Sequence, residues 1–163
     1  MHLQEFFDYK NTLMKDLLTS ESVISLMGCT DTPESLAYTQ IFPYEFIPET
    51  IHEGKTYICY DVDVIRSAGN MFYSPSISIW VFTHKSLMKL PEGGVRVDKI
   101  CSCIAEKLNG SLWYGLGELD LYSVKRFAPM TDYQGKCMVF HTKEISKFYD
   151  PKKSIPSNRR DGV

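Results

Sequence analysis

Five cysteines, four histidines and a pair of closely spaced aspartates are the side chains of this 163-residue chain with which chemistry could be done. Cys101-Ser102-Cys103 has the C-x-C spacing of a metal or redox pair. The residues around it repeat at helical spacing, however, and two positions apart on a helix point about 200° away from each other. Cys101 joins the apolar stripe and Cys103 lies off it, so a buried packing role and a flanking role account for the two. Neither a second cysteine pair nor a nearby histidine completes a zinc set. Asp61 and Asp63 share one face of a strand, either as a carboxylate pair for metal or acid–base work or as two solvated acids. His84 and His141 lie in or at the end of strands and could meet across a sheet, but neither has a cysteine or carboxylate at ligand spacing. Gly115-Leu116-Gly117-Glu118 has a faint look of a nucleotide loop. It follows a helix and opens a strand, the reverse of the dinucleotide order, and no Walker lysine accompanies it. The expectation is therefore no catalytic residue, no cofactor and no metal: not an enzyme.

Composition narrows the class further. A hydrophobic content of 44% with 13% aromatics marks a folded globular protein, and 163 residues make one domain. A formal net charge of -2 gives no overall pull towards nucleic acid or an anionic membrane. The longest stretch without Lys, Arg, Asp or Glu, Ser67 to His84, is broken by serines, Asn70 and Pro75 and is no membrane span. An odd number of cysteines without paired spacing, and a start Met1-His2-Leu3-Gln4-Glu5 without a basic or apolar leader, lead us to expect free thiols and a cytoplasmic origin.

These residues must be positioned by a definite order of elements. Leu3, Phe6, Phe7, Leu13, Met14, Leu17 and Leu18 predict a helix over 2–18, and Glu21 to Met27 a short second one ended by Gly28. Asp31 or Thr32 before Pro33 starts a third, brief turn. Ile41-Phe42-Pro43-Tyr44-Glu45-Phe46-Ile47-Pro48 is apolar but twice interrupted by proline, so it reads as an extended arm over apolar surface, its own or a neighbour's. Lys55 to Ile65 alternates, with Ile58, Tyr60, Val62 and Val64 inward and Tyr57, Cys59, Asp61 and Asp63 on a wet face. After a long connection, Arg66 to Pro75, a strand over Ser76 to His84 carries large apolar groups on both faces and should be central or covered twice.

Val97, Ile100, Cys101, Ile104 and Leu108 then form the stripe of a well-marked amphipathic helix, poorly capped at its start and ended at Asn109-Gly110. Strands over Gly115 to Lys125 and Gly135 to Thr142 follow, joined by a loop over 129–135. The fold class is α+β: an antiparallel four-stranded sheet with an N-terminal helix, and one long helix between strands 2 and 3, packed on one face. Residues 1–142 make the single domain, with a helical N-terminus over 1–40 and a sheet-plus-helix core over 55–142. Residues 143–163, with six Lys or Arg against three Asp or Glu, form a basic extension. It is either a solubilising end or a contact for nucleic acid or an acidic partner.

Four stretches in this order resemble the tail-terminator or tail-completion (head–tail joining, neck) proteins of tailed bacteriophages. They are IFPYEFIPET (41–50), KTYICYDVDV (55–64), GGVRVDKICSCI (93–104), and GLGELDLYSV (115–124) running on to DYQGKCMVF (132–140). The resemblance implies a structural virion protein assembled in the host cytoplasm, a homo-oligomer in the form of a hexameric ring. Such a ring sits at the head-proximal end of the tail, ends polymerisation of the tail-tube protein, and joins the tail to the connector, stopper or adaptor proteins of the head. DNA passes through its lumen without specific binding, and no membrane is involved. On that footing Phe42, Tyr44, Phe46, Ile47, Phe72 and Tyr73 are expected subunit or partner contacts, because aromatic extensions are costly to leave wet. Asp61, Asp63, Glu118 and Asp120 are expected to line the lumen as an acidic wall. The competing expectation is a cytoplasmic ligand-binding or enzymatic α+β domain that uses the sheet face near His84 and His141.

Overall fold

The computed structural model describes residues 3–48, 54–66, 73–112 and 118–142. Its core is a five-stranded mixed sheet rather than the four antiparallel strands expected. In chain order come α1 (Leu3–Thr19), α2 (Glu21–Leu26), a 3-10 turn (Pro33–Leu36), β1 (Ile41–Phe42), β2 (Thr56–Arg66), β3 (Tyr73–His84), a second 3-10 turn (Lys85–Leu87), α3 (Arg96–Leu108), β4 (Leu119–Met130) and β5 (Tyr133–Thr142). The strand order is β1-β2-β3-β5-β4, so β3 is central and its two apolar faces are both covered, as its composition requires.

The added strand is the beginning of the proline arm. Proline forbids a central strand, but it leaves two residues ahead of Pro43 free to pair at an edge. Ile41 and Phe42 use that freedom, lying parallel to β2 opposite Ile58 and Cys59.

Proline also misplaced two other boundaries. Pro75 lies inside β3 opposite Val64, at a point where β3 has β2 beside it but pairing with β5 begins only at Ser76. Tyr73 therefore belongs to the ladder, opposite Arg66, and not to a connection. Pro129 lies within β4, an outer strand whose register slips between Phe127 and Met130. The loop expected over 129–135 is instead a tight hairpin in which Met130 pairs with Tyr133.

One face of the sheet is packed by the helices. Leu13 and Leu17 of α1, Val23 of α2, and Val97, Ile100, Cys101, Ile104 and Leu108 of α3 are buried there. They meet Ile58, Tyr60, Val62, Ile77, Ile79, Val81, Met138 and Phe140, the alternate residues of three neighbouring strands. Tyr60 is wholly buried, and its hydroxyl donates to the Lys10 carbonyl at 2.8 Å.

No side chain caps the start of α3. Arg96 turns its guanidinium away, donating to the carbonyls of Leu87 and of Leu26 in the last turn of α2. A cation at that carbonyl end suits the α2 dipole, so a poor first-turn residue for α3 serves as the closing residue of α2. At the far end Gly110, with φ of +76°, supplies the left-handed turn, and its N–H donates to the Leu119 carbonyl.

Candidate functional site

The second face of β2 was expected to be wet, and half of it is dry. Tyr57 and Cys59 are buried beside Phe42, Phe82 and Tyr133 in a second core, with Phe46, Trp80, Phe127 and Met130 packed around it. The arm doubles back over this end of the sheet. Phe42 and Phe46 stack at 4.1 Å between ring centroids, and the Cys59 thiol reaches the Phe46 carbonyl at 3.6 Å. Aromatic rings on alternate positions of β2, β3 and β5 are the signal for a covered face, and the aspartates further along β2 masked it. Phe42 and Phe46 are thus used inside their own chain, whereas Tyr44 and Ile47 remain exposed. Phe72 lies outside the described residues.

The other end of the same face is polar. Register places Asp63 opposite Ser76, Ser76 opposite His141, and His141 opposite Asp120, one row across β2, β3, β5 and β4. Asp61 stands on the same face beside Ser78. Three of the four acids named from the sequence are therefore brought to one end of one face. Glu118 lies just before β4 and is half-buried. Asp63 and Asp120 are exposed, and the Ser78 hydroxyl donates to Asp63 at 3.4 Å.

Asp61 is differently placed. Its carboxylate accepts the Val62 N–H at 2.8 Å and pairs with Lys10 at 2.6 Å. Ile58 N–H donates to Gln40 on the β1 side, and alternation sends the Val62 N–H to the same outer edge. Asp61 and Lys10 therefore close part of an otherwise open strand edge, a device that opposes uncontrolled pairing.

The two histidines do not meet. His141 lies opposite Ser76 and His84 opposite Tyr133, eight residues further along β3, or about 27 Å at the rise of a strand. His84 accepts the Ser86 N–H and bonds its hydroxyl at 2.7 Å, serving the turn after β3. His141 stacks under Tyr122 at 4.2 Å. Among the described residues, no three of His, Cys, Asp and Glu are grouped as metal ligands.

A polar cleft of about 520 Å³ opens beside α2, where Arg96 and Lys55 face Asp31, Ser35 and Thr39. Arg96 is already committed to two carbonyls there.

The thiols are placed for packing. Burial pushes Cys101 up to about 12 and Cys59 up to about 11, far above the value of a reactive thiol. Cys29 and Cys103 are half-buried. Brief maleimide treatment of the native protein at neutral pH should label Cys29 and Cys103 first and spare Cys59 and Cys101 until unfolding. Peptide mass spectrometry reads the order, and early labelling of Cys101 would contradict this packing.

An α+β domain with helices on one sheet face and an aromatic arm on the other is the class these elements define. The YomW family model matches residues 5–142, and the chain belongs to the YomW family, a phage-related family. No curated protein and no solved structure matches it. The match ends at the last residue of β5, so the basic extension lies beyond it.

Proposed function

We propose that this chain is a structural, non-catalytic protein of the phage neck. It forms a ring at the head-proximal end of the tail, where it ends tail-tube assembly and meets the head connector. Membership of a phage-related family across the whole sheet-and-helix domain carries this reading. The division of the second sheet face supports it. One end is sealed by the chain's own arm, and the other presents Asp63 and Asp120 without an ion-pair partner among the described residues. A wall bearing such acids repels phosphate and lets DNA pass without being held.

The direct test mixes purified protein with its tail-tube protein and images the products by electron microscopy. Tubes of bounded length with a ring at one end are expected; tubes that grow without limit in its presence refute the proposal. For the wall, the double charge reversal Asp63→Lys/Asp120→Lys should leave assembly intact and slow DNA ejection from reconstituted particles several-fold. Ejection at the wild-type rate would remove these acids from the lumen.

A further inference from the structure

Two short side chains on the central strand give the polar end of the second sheet face a shallow trough. Ser76 and Ser78 of β3 are 5% and 8% exposed. Asp63 and Asp61 of β2 stand opposite them on one side, and His141 and Val139 of β5 on the other. Asp120 of β4 lies beyond His141, and the Tyr122 ring that stacks on His141 is 70% exposed. The Ser78 hydroxyl donates to Asp63, whereas the Ser76 hydroxyl has no hydrogen-bond partner among the described residues. Buried hydroxyls are rarely left so, and this one faces the trough between Asp63 and His141.

The charge of the trough is one-sided. Asp63 and Asp120 are exposed and belong to no ion pair among the described residues. Lys10, at the β2 edge, is taken up by Asp61. Lys125 shares the face but lies opposite Cys137, four residues from His141 along β5, or about 13 Å at the rise of a strand. Carboxylates only accept hydrogen bonds, and a serine hydroxyl can accept one as well. The group that satisfies all of them is therefore a cation with several N–H donors, a lysine ammonium or an arginine guanidinium. The exposed Tyr122 ring favours the same groups.

The chain carries such groups directly beyond the row. His141 is followed by Thr142, the last residue of β5, and residues 143–163 hold six Lys or Arg against three Asp or Glu. Four strands make the row about 14 Å wide, which about five extended residues can cross. Exposed ion pairs are individually weak, but a short tether holds the bases near the acids at an effective concentration on the order of millimolar.

We infer that the occupant of this trough is the chain's own basic extension, residues 143–163, folded back over the second face with lysine and arginine heads on Asp63, Asp120 and the Ser76 hydroxyl. The contact is made within one chain and does not depend on the ring. In the proposed lumen, DNA phosphates would compete for the same bases and leave the acids bare.

Zero-length carbodiimide cross-linking of the wild-type full chain tests it, because the reagent joins only carboxylates and amines that already touch. An equal mixture of unlabelled and isotope-labelled chains lets peptide mass spectrometry separate links within a chain from links between chains. At low salt, Asp63 and Asp120 should be joined to Lys147, Lys152 or Lys153 several-fold more often than Glu106, an exposed carboxylate of α3 in the helix layer. Salt at about 0.5 M, with a Debye length of about 4 Å, should bring the three carboxylates level. Arg159→Gln/Arg160→Gln keeps every cross-linkable group and should lower the links to Asp63 and Asp120 at low salt. Equal linking of Asp63, Asp120 and Glu106 at low salt overturns the inference, as do links that neither salt nor the arginine variant weakens. Links found only between differently labelled chains assign the trough to a second copy's extension and overturn the contact within one chain. Tube capping tests the neck reading separately, whichever result is found.

Discussion

Gly135→Ala should be among the most damaging substitutions in the sheet, costing on the order of 3–4 kcal/mol in urea denaturation. Gly135 lies on β5 between Phe82 of β3 and Phe127 of β4, directly opposite both. The absent side chain lets those two rings meet across the intervening strand, with 5.7 Å between centroids in an edge-on arrangement. A methyl group built there would stand 2.6 Å from the Phe82 Cα and would also overlap the Val81 carbonyl oxygen. Both are backbone atoms of the central strand, so relief requires β3 and β5 to separate and cannot come from a rotamer change. Gly110 provides the comparison. Its φ is +76° and nothing lies within 4 Å of an added Cβ, so alanine there costs only the left-handed strain of about 1–2 kcal/mol. If the two alanine variants proved equally stable, the close approach at Gly135 would not exist as described.

The contrast explains which parts of this fold could be read in advance. The α3 stripe was legible because Val97, Ile100, Ile104 and Leu108 repeat with a period that only a helix satisfies. The central place of β3 was legible because Ile77, Ile79 and Val81 alternate with Trp80 and Phe82, leaving no face to water. Reading failed where the deciding neighbour was remote in sequence. Tyr57 and Cys59 alternate like solvent-facing residues and are dry because Phe42 and Phe46 fold back over them. Pro129 reads as a loop until β4 is known to be an outer strand with a register shift at that point.

The same limit governs the site. Aspartates at 61 and 63 look equivalent in a period-two pattern. Only the packing of α1 shows that Lys10 engages the first and leaves the second exposed. Nothing local distinguishes His84 from His141 as partners. The antiparallel register, which starts β5 beside the end of β3, separates them.

The arm poses the sharpest remaining question, and Phe42→Ala answers it. Among the aromatic residues first expected to reach a neighbour, Phe42 is 4% exposed and contacts Tyr44, Phe46 and Tyr57 of its own chain. Truncating a buried phenylalanine costs about 3–5 kcal/mol, and a protein of this size loses roughly 2–4 °C of melting temperature per kcal/mol. Phe42→Ala should therefore lower the melting temperature of the dilute protein by about 6–20 °C, independently of concentration. Tyr44→Ala, two residues on, removes an exposed ring and should change that temperature by about 2 °C or less. Were Phe42 instead an interface residue, its loss would barely touch the dilute protein and would appear only as concentration is raised. The arm thus divides its labour residue by residue: Phe42 and Phe46 hold it to the sheet, while Tyr44 and Ile47 stay exposed.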